Sequence, residues 1–134
     1  MGISKIVMAL DDQPMWASID RHALELQKCT ECGAFRYPPA PVCPNDLNDK
    51  ADWVPVSGQG EIISWVVFHK TYFDDHQPLY NSTAVRLDEG PIVVTQLRGE
   101  EPEGSWIGQR VELVYAEHAG RTQHFAHWLK SEAA

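Results

Sequence analysis

Apolar and polar residues alternate over short stretches through the last two thirds of the chain. Trp53–Val56, Gly60–His69, Ser82–Leu87, Ile92–Leu97, Val111–Glu117 and Thr122–Trp128 read as strands, since side chains two apart on an extended backbone share a face. Gly-containing polar segments punctuate them at 56–60, 88–91 and 98–104, as tight connections require. In Val111-Glu112-Leu113-Val114-Tyr115 and in 82–87 one face is more apolar than the other. Ile62 to Phe68 is apolar on both, which predicts a strand covered on its outside by a helix, by the cysteine-rich segment upstream or by a second protein. Five or so such strands suit a small closed barrel, because closure leaves no sheet edge exposed.

The period changes upstream. Met15, Trp16, Ile19 and Ala23 recur at helical spacing behind Asp11, Asp12 and Pro14, residues that favour a helix start. A short amphipathic helix is expected, with Trp16 packed into the core or presented to a partner. Between 26 and 46 the chain turns rich in Cys, Gly and Pro, and the polar run 45–52 has no hydrophobic period. The expected organisation is a helical segment over 1–25, a ribbon over 26–52 and a barrel over 53–134, a mainly β fold.

Cysteine placement adds chemistry to this pattern. Cys29-Thr30-Glu31-Cys32-Gly33 has the spacing with which two thiolates grip one ion, and the glycine permits the tight turn that points backbone N–H groups at sulfur. Cys43-Pro44-Asn45-Asp46 repeats the spacing with aspartate in the fourth position. Zinc accepts carboxylate oxygen at about 2.0–2.2 Å, so Cys29, Cys32, Cys43 and Asp46 are the expected ligands of a structural zinc. Two other readings stay open: a ribbon folded without metal around Phe35, Tyr37 and its prolines, and a redox dithiol at Cys29 and Cys32, a motif usually found in a βαβ setting that is missing here.

Composition narrows the function classes. The 134 residues carry 11 Lys plus Arg against 19 Asp plus Glu, a net charge of −8, which repels a nucleic-acid backbone at long range. Apolar runs are too short to span a bilayer, Met1–Lys5 lacks a secretory signal's apolar stretch, and the three clustered cysteines make a poor disulfide scaffold. A cytoplasmic location is expected. No nucleophile elbow, P-loop or dinucleotide fingerprint occurs.

Taken together, Pro14-Met15-Trp16, Leu26-Gln27-Lys28-Cys29-Thr30-Glu31-Cys32-Gly33, Tyr37-Pro38-Pro39, Pro41-Val42-Cys43-Pro44, Val56-Ser57-Gly58-Gln59-Gly60, Ser64-Trp65 with His69, 85–90 and 108–113 resemble the acyl-CoA-associated, DUF-type zinc-ribbon/OB-fold proteins over residues 13 to 128. The resemblance implies a helix, a rubredoxin-like ribbon and a five-stranded OB barrel. It also implies an accessory subunit, without a complete active site of its own, that assembles with thiolase-like or ketoacyl-synthase-like proteins acting on acyl-CoA thioesters, including acyltransferase and aldolase chemistry. The expected product is a hetero-oligomer. Asp46 departs from the four-cysteine pattern.

An acyl-CoA surface should interleave aromatic and basic groups for the adenine ring and phosphates. Phe35, Arg36 and Tyr37 do so on the ribbon, and His69, Lys70, Tyr72 and Phe73 at the end of the long strand. The competing reading has these aromatics sealing ribbon against barrel. No catalytic residue is assigned: His69, His118, His124 and His127 have no nucleophile beside them in sequence, and Asp74, Asp75 and His76 suit a solvated loop. A different function class, a single-stranded nucleic-acid-binding OB module, would use the same aromatics with a basic groove.

Overall fold

The structure, a computed structural model, describes residues 9–70 and 80–130. A single 3-10 turn, Leu10–Asp12, leads into α1, Gln13–Asp20. Pro14 occupies the first turn, where a missing N–H costs nothing. Met15, Ser18 and Ile19 form the buried stripe. The helix stops sooner than the apolar spacing predicts, leaving Ala23 beyond it. His22 takes the left-handed conformation at φ 60°, its N–H donates to Ile19 O, and Ala23 N–H donates to Ser18 O. These paired bonds satisfy the helix's last carbonyls and turn the chain. His22 also stacks on Tyr115, with ring centroids 5.3 Å apart.

The ribbon sheet comprises β1, Glu25–Cys29, β2, Phe35–Arg36, and β3, Ala51–Pro55, antiparallel in the order β2-β1-β3. Trp53–Val56, expected to open the barrel, therefore runs largely in the ribbon: Trp53 lies opposite Gln27 and Val54 opposite Leu26.

Five strands make the barrel: β4, Gln59–Phe68; β5, Tyr80–Leu87; β6, Ile92–Thr95; β7, Arg110–His118; and β8, Arg121–Trp128, in the order β6-β5-β4-β7-β8. A parallel bridge between Leu97 and Ala126 brings the ends together, with Ala126 N–H donating to Gln96 O and Arg98 N–H to Ala126 O. This is a nearly closed five-stranded OB barrel.

A register shift between Ile62 and Ser64 explains the two-faced apolar run of β4. Alternation on a strand has period two, so one extra residue exchanges the faces. Ile62 points inward before the bulge; Trp65 and Val67 pack against the core after it. The run serves one interior from both sides of the shift, and Val66 remains exposed. Gly60 lies where any Cβ would run into the Arg86 carbonyl and Val85, which is why β4 and β5 approach so closely there.

One core joins all parts. Met15 and Ile19 of α1, Leu24, Leu26 of β1 and the barrel residues Ile62, Val85, Leu87, Val93, Val111 and Leu113 form a single buried cluster, with Trp16 packed at its margin. No helix among the described residues is long and apolar enough to cross a membrane.

Candidate zinc site and surrounding surfaces

Two short loops closed by the same backbone turn face each other at the tip of the ribbon. In the first, Cys32 N–H points at Cys29 Sγ over 3.5 Å, Gly33 N–H donates to Cys29 O at 3.0 Å, and Gly33 has φ 79°. In the second, Asn45 N–H points at Cys43 Sγ over 3.4 Å, Leu47 N–H donates to Cys43 O at 2.8 Å, and Leu47 has φ 63°. Leu47 thus takes the left-handed position that Gly33 fills without steric cost, and Asp46 stands where Cys32 stands in the first loop.

The four side chains converge. Cys32 Sγ lies 3.6 Å from Cys43 Sγ, Cys29 Sγ lies 3.8 and 3.7 Å from the two Asp46 oxygens, and one ligand atom from each residue falls within 4.8 Å of the others. A tetrahedral zinc with bonds near 2.3 Å to sulfur separates its sulfurs by about 3.8 Å, so the donor set fits the ion in number, distance and chemistry. The N–H of Cys32 directed at Cys29 holds that thiol below its ordinary pKa, and Asn48 N–H, donating to Asp46 Oδ1 at 3.0 Å, holds the carboxyl below the usual range. Both favour ionisation of Cys29 and Asp46, whereas Cys32, beside the Cys43 and Cys29 thiols, is held above its ordinary value, so the metal charge must draw off its proton.

Arg36 underpins the second loop. It is buried, and its guanidinium donates to the carbonyls of Ala40, Asn48 and Lys50 at 3.3, 3.0 and 3.3 Å. Its cation therefore serves the ribbon backbone and is not presented to a ligand phosphate. Phe35 is half-buried beneath the Lys28 ammonium, 5.6 Å from the ring centroid. Tyr37 points elsewhere: burial against the barrel raises its phenol, and its hydroxyl meets the Val94 backbone. His69 and Lys70 are exposed just past β4. Tyr72, Phe73, Asp74, Asp75 and His76 lie outside the described residues. Of the two aromatic-basic clusters, the ribbon's Tyr37 and Phe68, the residue before His69, line one cavity.

This cavity, of about 420 Å³, lies between α1, the ribbon and the seam of the barrel and is also lined by Trp16, Tyr80, Thr95 and His124. Phe68 and Tyr80 stack at 4.8 Å. Thr95 Oγ1 donates to His124 O at 2.9 Å and sits 3.0 Å from His124 Nδ1. A hydroxyl has one proton, so the tautomer with hydrogen on Nδ1 is the one that pairs both contacts. Burial lowers the His124 imidazole to about 4. No local signal in sequence announces this cavity, since it is assembled from α1, β4, β5, β6, β8 and the ribbon.

A ribbon with a three-thiolate, one-carboxylate zinc site, fused through one core to an OB barrel, defines a rubredoxin-like zinc-ribbon/OB-fold protein. The sequence matches the family models of the ChsH2 rubredoxin-like zinc ribbon domain over residues 16–50 and the ChsH2 C-terminal OB-fold domain over residues 53–116. It is 33% identical over 104 residues to a DUF35 domain-containing scaffold protein of Methanothermobacter thermautotrophicus, covering 75% of this chain and 77% of that one. The chain belongs to the DUF35 family. It is also 30% identical over 100 residues to the 3-oxo-4,17-pregnadiene-20-carboxyl-CoA hydratase alpha subunit of Mycobacterium tuberculosis, covering 75% of this chain and 32% of the subunit. The chain thus spans about a third of the length of the hydratase subunits it matches. Among solved structures, a chain of the Ltp2-ChsH2(DUF35) aldolase superposes with a TM-score of 0.85 and 27% identity, covering 94% of this chain and all of that one.

Proposed function

We propose that this chain is an accessory subunit of an enzyme assembly acting on acyl-CoA thioesters, docking on a thiolase-like subunit that performs C–C bond chemistry. The observation that carries this reading is the end-to-end likeness to the DUF35 chain of an aldolase assembly, joined by the relationship to a subunit named for a CoA-thioester substrate. The chain's own chemistry agrees. The thiols are grouped at the metal clip.

In this reading Phe35, Tyr37, His69, Lys70 and Tyr72 contribute to the acyl-CoA surface once the partner is in place, and Arg36 acts through the ribbon. Zinc, when bound, supplies a structural clip that fixes Cys29, Cys32, Cys43 and Asp46 together. The net charge of −8 weighs against a single-stranded nucleic-acid module, which needs a positive groove.

The test is co-expression with a thiolase-like protein from the same genome, beginning with the adjacent reading frames. A stable hetero-oligomer and acyl-CoA turnover above that of either protein alone are expected. Failure to co-purify, together with unchanged turnover on mixing, overturns the reading. In the assembled complex, Lys70→Glu should raise KM for the acyl-CoA more than it lowers kcat, since it removes a ground-state contact.

A further inference from the structure

The three cysteines are not equivalent. Cys29 and Cys43 are buried, whereas Cys32 is exposed at the tip of the first loop. The Cys32 sulfur lies 3.6 Å from the Cys43 sulfur. Cys29 sits against the Asp46 carboxylate and receives the Cys32 N–H. Cys32 is the residue an oxidant arriving from solvent reaches first; its sulfur lies close to that of Cys43 on the opposite loop, while Cys29 on its own loop, within 4.8 Å, is engaged by the Asp46 carboxylate.

We propose that Cys32 is an oxidative modification site and Cys43 its resolving thiol, so that a hydroperoxide converts the metal clip into a covalent one. The Cys32 thiolate attacks one peroxide oxygen, the O–O bond breaks, hydroxide leaves and a sulfenic acid forms. The Cys43 thiolate then attacks the Cys32 sulfur, an S–S bond forms and a second hydroxide leaves. Two solvent protons turn the hydroxides into water. The two-electron oxidation of the sulfur pair equals the two-electron reduction of the peroxide.

The consequence follows from the ligand set. Oxidation removes two of the four donors, and Cys29 with Asp46 is too small a set to retain zinc at a site that otherwise uses four. Aspartate in place of a fourth cysteine leaves a single unpaired thiol, Cys29, after the reaction. The two loops stay tethered across the ribbon tip, so a thiol reductant with added zinc restores the original clip. The loop released from metal, 43–48, is the one whose Asn48 carbonyl holds Arg36.

The sequence provides a direct readout. Trypsin cuts after Lys28, Arg36 and Lys50, placing Cys29 and Cys32 in peptide 29–36 and Cys43 in peptide 37–50. The full-length zinc-loaded chain, its metal content measured first, is treated with hydrogen peroxide at neutral pH. Released zinc is followed with a chromogenic chelator, and free thiols are alkylated before non-reducing digestion. The expected result is loss of the bound zinc in step with a cross-link between the two peptides, with Cys29 alkylated and both changes reversed by dithiothreitol plus zinc. A disulfide through Cys29, zinc retained after cross-linking, or sulfinic acid at Cys32 without a cross-link overturns the proposal. A chain that holds no zinc after purification in its presence overturns the release step. None of these outcomes depends on the partner subunit, so they stand apart from the test of the proposed function.

Discussion

The phenolic oxygen of Tyr115 on β7 accepts the backbone N–H of Leu24 at 2.9 Å, across 91 positions of sequence. Leu24 is buried where the chain leaves α1 for the ribbon, and its carbonyl accepts from Val56 N–H on the way into the barrel. One barrel side chain thus satisfies the N–H at the junction of all three parts. Tyr115→Phe keeps the ring and its stacking on His22 but leaves that N–H unpaired. The expected loss is about 1–2 kcal/mol in denaturant unfolding of the zinc-loaded protein, with the unfolding slope unchanged.

Arg36 makes a comparable tie inside the ribbon. Its three acceptors come from Ala40, Asn48 and Lys50, all of them outside the strands of the ribbon sheet. Arg36→Met preserves much of the volume and takes the charged donor away from all three carbonyls, for an expected cost of about 2–4 kcal/mol. Because Asn48 follows Asp46 so closely, zinc affinity should fall with it. Arg36→Lys should rescue little, since an ammonium cannot span the acceptors that a planar fork reaches. Chelator competition and thermal unfolding on the same samples check both effects.

Much of this architecture is legible in the residues, for identifiable physical reasons. Cys29, Cys32, Cys43 and Asp46 declare themselves because ligands at knuckle spacing are fixed by local backbone geometry. The strands of β5 and the first half of β7 show their alternation because each has one buried face. Pattern misleads where long-range pairing overrides it. Trp53–Val56 has the composition of a barrel strand, yet its partner is β1, and nothing local distinguishes one sheet from another. The bulge after Ile62 exchanges inner and outer faces within one strand, which mimics a strand covered on both sides. Arg36 has the sequence neighbours of a phosphate ligand, because they are aromatic; only folding shows that backbone carbonyls surround it.

Asp46 offers the sharpest test of the metal clip. Asp46→Ala removes one of four donors and should weaken zinc by about 10- to 100-fold or more, the range already seen when mere supporting partners of ligands are lost. Asp46→Cys should do the reverse, because a fourth thiolate at the same position of the second loop restores a set well suited to zinc. The Leu47 conformation at φ 63° already supplies the turn that such a loop requires. Competition against a chelator of known affinity orders the three proteins; an Asp46→Ala chain that binds zinc as tightly as the parent removes Asp46 from the ligand set.

His124 gives the fold a dependence on pH in a definite direction. Burial holds its imidazole at about 4, against an ordinary value of 6.5. Between those values the unfolded chain carries a proton that the native state does not, so stability rises with pH there. The contribution is complete above about 6.5 and is lost as pH falls toward 4. Between pH 7 and pH 5 this amounts to about 2 kcal/mol. Zinc ligands also protonate in acid, so the informative quantity is the difference between the parent and His124→Gln, which keeps a polar side chain near Thr95 and cannot titrate. Denaturant unfolding at pH 7 and pH 5 should show the parent losing about 2 kcal/mol more than the variant. Equal losses in the two proteins would mean that the native imidazole takes up its proton as readily as an unfolded one.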